Sequence, residues 1–91
     1  MNKQELINAI AADTGMTKTA VKIMLQSFEF RVTEALANGN EVKMIGFGTF
    51  KARPQPARIG RNPATGGEVE VPAKKRVSFI AGKGLKEAVN L

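Results

Sequence analysis

Apolar residues recur at helical spacing through the first forty positions of this chain. Leu6, Ile7, Ile10 and Ala11 share one face, and Val21, Met24, Leu25, Phe28, Val32, Ala35 and Leu36 continue as a second, longer stripe. The flanking residues predict where each helix begins and ends. Asn2, followed three residues later by Glu5, has the logic of a capping box, and Gly15 stops a first helix over about residues 3–14. Thr17 can cap the second, which Asn38-Gly39 closes. The pair makes an αα-hairpin. It is a poor helix-turn-helix, because the outer face of its second helix carries Gln26, Glu29 and Glu34 beside Lys22 and Arg31, where a recognition helix needs basic and amide side chains. Ile23 and Phe30 lie on the side opposite the stripe, one heptad apart, which predicts a helix covered on both sides by a partner subunit.

Beyond Gly39 the period falls to two. Val42 and Met44 alternate with Glu41 and Lys43 as a strand, Gly46-Phe47-Gly48 turns into a second strand carrying Phe50, and Val77 and Phe79 alternate with Arg76 and Ser78 as a third. A short helix from about Gly82 to Val89 follows, with Leu85, Ala88 and Val89 inward. The predicted class is α+β in the order ααβββα, within a single domain: a helical hairpin over 1–40, then sheet, arm and last helix over 41–91.

Charge divides the chain in the same place. Through Asn40, Lys3, Lys18, Lys22 and Arg31 are matched by Glu5, Asp13, Glu29 and Glu34; from Glu41 onward ten Lys and Arg face only Glu41, Glu68, Glu70 and Glu87, which accounts for the whole formal net charge of +6. Seven of those ten, namely Lys51, Arg53, Arg58, Arg61, Lys74, Lys75 and Arg76, lie in one proline-punctuated stretch. A cationic limb on a neutral body points to a polyanionic partner, nucleic acid above all. The limb reads as a β-ribbon arm over about 53–74. Asn62-Pro63-Ala64-Thr65 suits a type I turn, and Gly66-Gly67 can adopt the positive φ that closes a hairpin. Pro54, Pro56 and Pro72 fit a two-stranded ribbon if their ring nitrogens point outward. Barring a bulge, this makes the numbers of opposed residues sum to an even value, which places Lys75 on the face of Lys51 and Arg53. Like charges opposed across a ribbon destabilise it unless a polyanion is bound.

Composition narrows the alternatives. The 91 residues contain neither cysteine nor histidine, so no disulfide, structural zinc, thiol nucleophile or imidazole base is available; no enzyme, no metal and no cofactor are expected. With the arm set aside, about 70 residues remain for the body, near the size at which a lone core is marginal, and oligomerisation is the remedy. No apolar run is long enough to span a membrane, and the N-terminus lacks signal-peptide character, so the expectation is a soluble, intracellular protein with no small-molecule substrate.

The segment GFGTFKARPQPARIGRNPAT, residues 46–65, resembles the signature of the bacterial histone-like HU and integration host factor family, in Gly46-Phe47, Phe50, Arg58, Gly60, Asn62-Pro63 and Thr65. The likeness extends through MNKQELINAI at the start and VPAKKRVSFIAGKGLKEAV near the end. It implies an intertwined homodimer whose two protruding ribbon arms curl around double-stranded DNA through the minor groove, bending and compacting it with little sequence preference. By position, Pro63 resembles the wedge inserted between base pairs, with Arg61 and Asn62 beside it. Lys51, Arg53, Arg58, Lys74, Lys75 and Arg76 would follow the phosphates, with Gly46 and Gly48 along the same surface. Lys3, Lys83 and Lys86 would extend the contact over the flanks. Phe28, Phe47, Phe50 and Phe79 would form the dimer core. A bent, nicked or gapped duplex is the implied preferred partner, and the implied location is the bacterial cytoplasm and nucleoid, for a chromosomal or phage-encoded chain. Several positions depart from the family pattern. Gly67 stands where many relatives have lysine, Glu29 and Phe30 are unusual on the long helix, Ala81 lacks the common capping hydroxyl, and Gly84 sits in the first turn of the last helix. That helix start would then be capped either by a DNA phosphate or by water or a backbone carbonyl. The charge pattern alone also permits an RNA-binding or ribosome-associated basic hairpin, and the resemblance also permits a site-selective transcription factor.

Overall fold

Side-chain caps delimit the first two helices where the sequence places them. In the computed structural model, which describes residues 1–91, α1 spans Lys3–Thr14: Asn2 Oδ1 accepts from the Glu5 N–H at 2.8 Å, and the left-handed Gly15 ends the helix. α2 spans Lys18–Ala37, opened by the Ala20 N–H donating to Thr17 Oγ1 at 3.1 Å. Its other end is a Schellman motif in which the Gly39 N–H donates to Leu36 O and the Asn40 N–H to Ala35 O, at 3.1 and 2.9 Å.

Five strands follow, β1 (Val42–Met44), β2 (Gly48–Gln55), β3 (Arg58–Arg61), β4 (Glu68–Val71) and β5 (Lys74–Ala81), and then α3 (Lys83–Val89). β1, β2 and β5 form an antiparallel sheet in the order β1-β2-β5, while β3 and β4 pair as a separate two-stranded ladder. Since β3 prolongs β2 and β4 leads into β5, the limbs follow the expected order ααβββα. The ribbon is nevertheless interrupted, with Pro56-Ala57 on one limb and Pro72-Ala73 on the other standing outside the pairing at the same level.

The chain divides into two compact units, Met1–Glu34 and Ala35–Leu91. In the first, Ile7, Ala11 and the 2 % exposed Val21 form a core lined by Ile10, Met16 and Leu25. In the second, Leu36 is the buried side chain, and the buried Gly48 has none to contribute. A single chain therefore covers little of its apolar surface. Ile23 and Phe30 are 61 % and 62 % exposed, as their position opposite the stripe predicts, and Met24 and Phe28 on the stripe itself are exposed too. The inward placing of α3 holds only for Leu85, which is half-buried; Ala88 is exposed and Val89 is 74 % exposed, because nothing within one chain covers that side of so short a helix.

Candidate nucleic-acid interface

Alternation along the β2–β5 ladder separates an aromatic face from a cationic one. Phe50 stands opposite Phe79, their ring centroids 4.8 Å apart and tilted by 53°, and Phe47 meets the same Phe79 ring at 5.7 Å. Gly48 is required beneath this cluster: a Cβ there would fall 2.6 Å from Phe79 Cε1 and 2.8 Å from Ile80 O. Phe28, grouped with these rings by the family resemblance, belongs to the other unit.

The opposite face carries Lys51, Arg53 and Gln55 on β2 against Ser78, Arg76 and Lys74 on β5. Arg53 and Arg76 are directly opposed, so the like-charge pairing expected of the ribbon is present. Its members differ from those predicted. Opposed residue numbers sum to an odd value throughout, from Gly48 with Ala81 to Arg61 with Glu68, so Lys75 lies opposite Pro54 on the aromatic face, away from Lys51 and Arg53. The even-sum expectation takes Pro72 to be a rung of a continuous ladder. Here Pro56 and Pro72 stand in the gap, where no rung exists for them to constrain.

On its own face Lys75 reaches the end of α2, where its Nζ donates to Ala37 O at 2.6 Å. Lys51 is also engaged, 3.8 Å from a Glu41 carboxylate oxygen.

At the tip, Gly66 takes the left-handed conformation (φ 70°) that a side chain would resist, and its N–H donates to Asn62 O at 2.7 Å. Asn62 Oδ1 accepts from the Ala64 N–H at 2.9 Å, and the Asn62 N–H donates to Gly67 O at 2.8 Å. Gly66 alone supplies the positive φ; Gly67 does not. Pro63 is thus presented on a turn held from both sides by Asn62. Along β3 and β4, Arg58 and Gly60 share a face with Val69 and Val71, while Arg61 stands opposite Glu68 and beside Ile59 and Glu70. The tip ladder is therefore charged with both signs, which counting cations along the sequence does not convey.

The flanking cations have local partners. Lys3 Nζ lies 2.6 Å from a Glu29 carboxylate oxygen, and Lys83 Nζ lies 3.9 Å from one of Glu87; Lys86 is in the last turn of α3. The start of α3 has no side-chain cap and is tied to the loop before β2 by backbone. The Leu85 N–H donates to Gly46 O at 3.1 Å, and the Gly82 N–H to Phe47 O at 2.8 Å. A backbone carbonyl thus takes the Leu85 N–H, one of the groups left open in the first turn of α3. Gly84 has a purpose that helix propensity conceals, since a Cβ on it would sit 2.7 Å from Gly46 O. Gly46 and Gly48, which the resemblance placed along the DNA surface, thus have structural roles as well.

Residues 1–90 match the family model described as bacterial DNA-binding protein. The chain belongs to that family. It is 52 % identical over 90 residues to DNA-binding protein HU-beta of Pseudomonas fluorescens, an alignment covering 99 % of this chain and 100 % of the relative. Among solved structures of the family, it resembles HU in the Anabaena HU–DNA cocrystal structure, with a TM-score of 0.88 at 39 % identity, covering 98 % of this chain and 97 % of that one. A mutant of transcription factor 1, solved in solution, matches with a TM-score of 0.68 at 44 % identity, over 99 % of this chain and 91 % of the other. The helical hairpin, the three-limbed sheet and the ribbon are thus the fold of bacterial DNA-binding proteins.

Proposed function

We propose that this chain is an architectural protein of double-stranded DNA, acting as a homodimer that bends and compacts the duplex through its two ribbon arms with little sequence preference. The observation that carries this is the cationic face of the β2–β5 ladder, where Lys51, Arg53, Lys74 and Arg76 stand together and lead to a tip that presents Pro63. The Anabaena relative was crystallised on DNA, and the fold here matches it closely. Arg53, Lys74 and Arg76 contact phosphates along the limb, with Arg58 beyond the gap. Arg61 and Asn62 lie in the minor groove beside Pro63, which wedges between base pairs. Lys3, Lys83 and Lys86 extend the contact over the flanks. The aromatic cluster of Phe47, Phe50 and Phe79, together with Phe28, is covered by the second subunit. The protein works by binding rather than by catalysis, without cofactor or metal, and its place is the bacterial nucleoid. No helix is long and apolar enough to cross a membrane.

The test is a binding series on linear, nicked and gapped duplexes of varied sequence, with RNA as competitor at one salt concentration. Tighter binding to nicked and gapped duplex is expected, with log K falling steeply with log[salt], as about 6 to 10 phosphate contacts per dimer require. Equal competition by RNA, or an affinity nearly independent of salt, would overturn the proposal.

A further inference from the structure

Ten of the chain's cations lie after Asn40, and the register sets one of them apart. Lys74 and Arg76 point to the cationic face, while Lys75 between them points to the face of Phe50 and Phe79. Its ammonium ends 2.6 Å from Ala37 O, thirty-eight residues away in sequence. That carbonyl is one of the two the Schellman motif leaves over: Ala35 O and Leu36 O accept from the Asn40 and Gly39 N–H groups, and Ala37 O belongs to the last residue of α2. A full positive charge at a helix C-terminus also opposes the negative end of the helix dipole. Lys75 sits two residues beyond the interrupted rungs at Ala73, so the contact holds the ribbon at its root, just before the ladder lapses.

We infer that Lys75 is a positioning residue and not a phosphate ligand: it completes the C-terminal cap of α2 and thereby fixes the root of the DNA-binding arm. This rests on the proposed DNA-bending role, and it divides the basic run Lys74-Lys75-Arg76 by task. The two outer residues meet the polyanion. The middle one meets the protein. Arm direction, and hence the bend imposed on DNA, depends on Lys75, while the number of neutralised phosphates does not.

The experiment compares Lys75→Met, Lys75→Arg and Lys74→Met in the full-length protein. Without DNA, Lys75→Met should accelerate amide exchange at residues 37–40 about tenfold, as loss of a hydrogen bond to a charged group implies, and Lys74→Met should leave those amides unchanged. On duplex DNA, Lys75→Met should keep the wild-type salt slope while altering the bend read by fluorescence transfer, with Lys75→Arg restoring it. Lys74→Met should instead make the slope shallower by about 0.9 for each phosphate no longer neutralised. A slope lowered by Lys75→Met as much as by Lys74→Met, with exchange at 37–40 unmoved, would overturn the assignment. Should Lys75→Met not fold, the Nζ nitrogen resonance of Lys75 in the wild-type protein decides. It should be unmoved by added duplex; a shift as large as that of Lys74 would overturn the inference. Because the exchange arm contains no DNA, failure of the cap is distinguishable from failure of the DNA-binding proposal.

Discussion

Arg53 stands directly opposite Arg76 in the β2–β5 ladder, on the face that also carries Lys51 and Lys74. Two guanidinium groups across a rung repel in the free protein, and in the proposed complex a phosphate between or beside them would offset that repulsion. Arg76→Gln should therefore stabilise the free protein by about 0.2 to 1 kcal/mol, read as a higher unfolding midpoint. The same change should weaken DNA binding and make the salt slope shallower by about 0.9 for each phosphate left unneutralised. A variant that is both less stable and unaltered in salt dependence would show that the pair is not a polyanion site.

Gly84 tests two opposed expectations. Alanine in a helix is favoured over glycine by about 1 kcal/mol, yet here its Cβ would be driven against the Gly46 carbonyl that receives the Leu85 N–H. The close approach wins, and Gly84→Ala should destabilise by about 1 to 3 kcal/mol, the usual range for overpacking. Thermal unfolding measures this. An unchanged or raised midpoint would mean that α3 moves away at little expense.

Pro63→Ala should leave the fold intact, because the tip turn is held by Asn62 and Gly66 and touches no core. It should reduce DNA bending and the preference for prekinked duplex. Fluorescence transfer across a labelled duplex reads the bend, and an unaltered value would contradict the wedge role.

With Ile7, Ala11, Val21 and Leu36 as its buried apolar side chains, one chain cannot sustain much of a core. Dilution to nanomolar concentration should melt secondary structure together with association. A folded monomer in sedimentation would refute an obligate dimer.

The helices are legible in the sequence because their signals are local. Asn2, Gly15, Thr17 and Gly39 each act within a few residues of themselves, and each caps where the sequence predicts. The tip turn is legible for the same reason. What sequence reading misses depends on partners distant along the chain. Lys75 looks like its neighbours until the strand register turns it toward Ala37, and Gly84 looks like a weak helix residue until the Gly46 carbonyl is brought against it. Glu68 and Glu70 are visible as charges, but only pairing shows that they share a face with Arg61. The register itself is misjudged because Pro56 and Pro72 read as members of a continuous ladder, whereas they interrupt it.

Both ladders of the ribbon keep one register across the gap at Pro56-Ala57 and Pro72-Ala73, so the two limbs are equal in length on either side of it. Such an arm is constrained in how it can lengthen or shorten. Deleting one residue from a single limb would turn every side chain beyond the deletion to the other face, exchanging the surroundings of Arg58 with those of Arg61 and its acidic neighbours. Viable insertions and deletions in this arm must therefore come as matched pairs, one on each limb, or fall within the turn at 63–66, where no rung would be displaced.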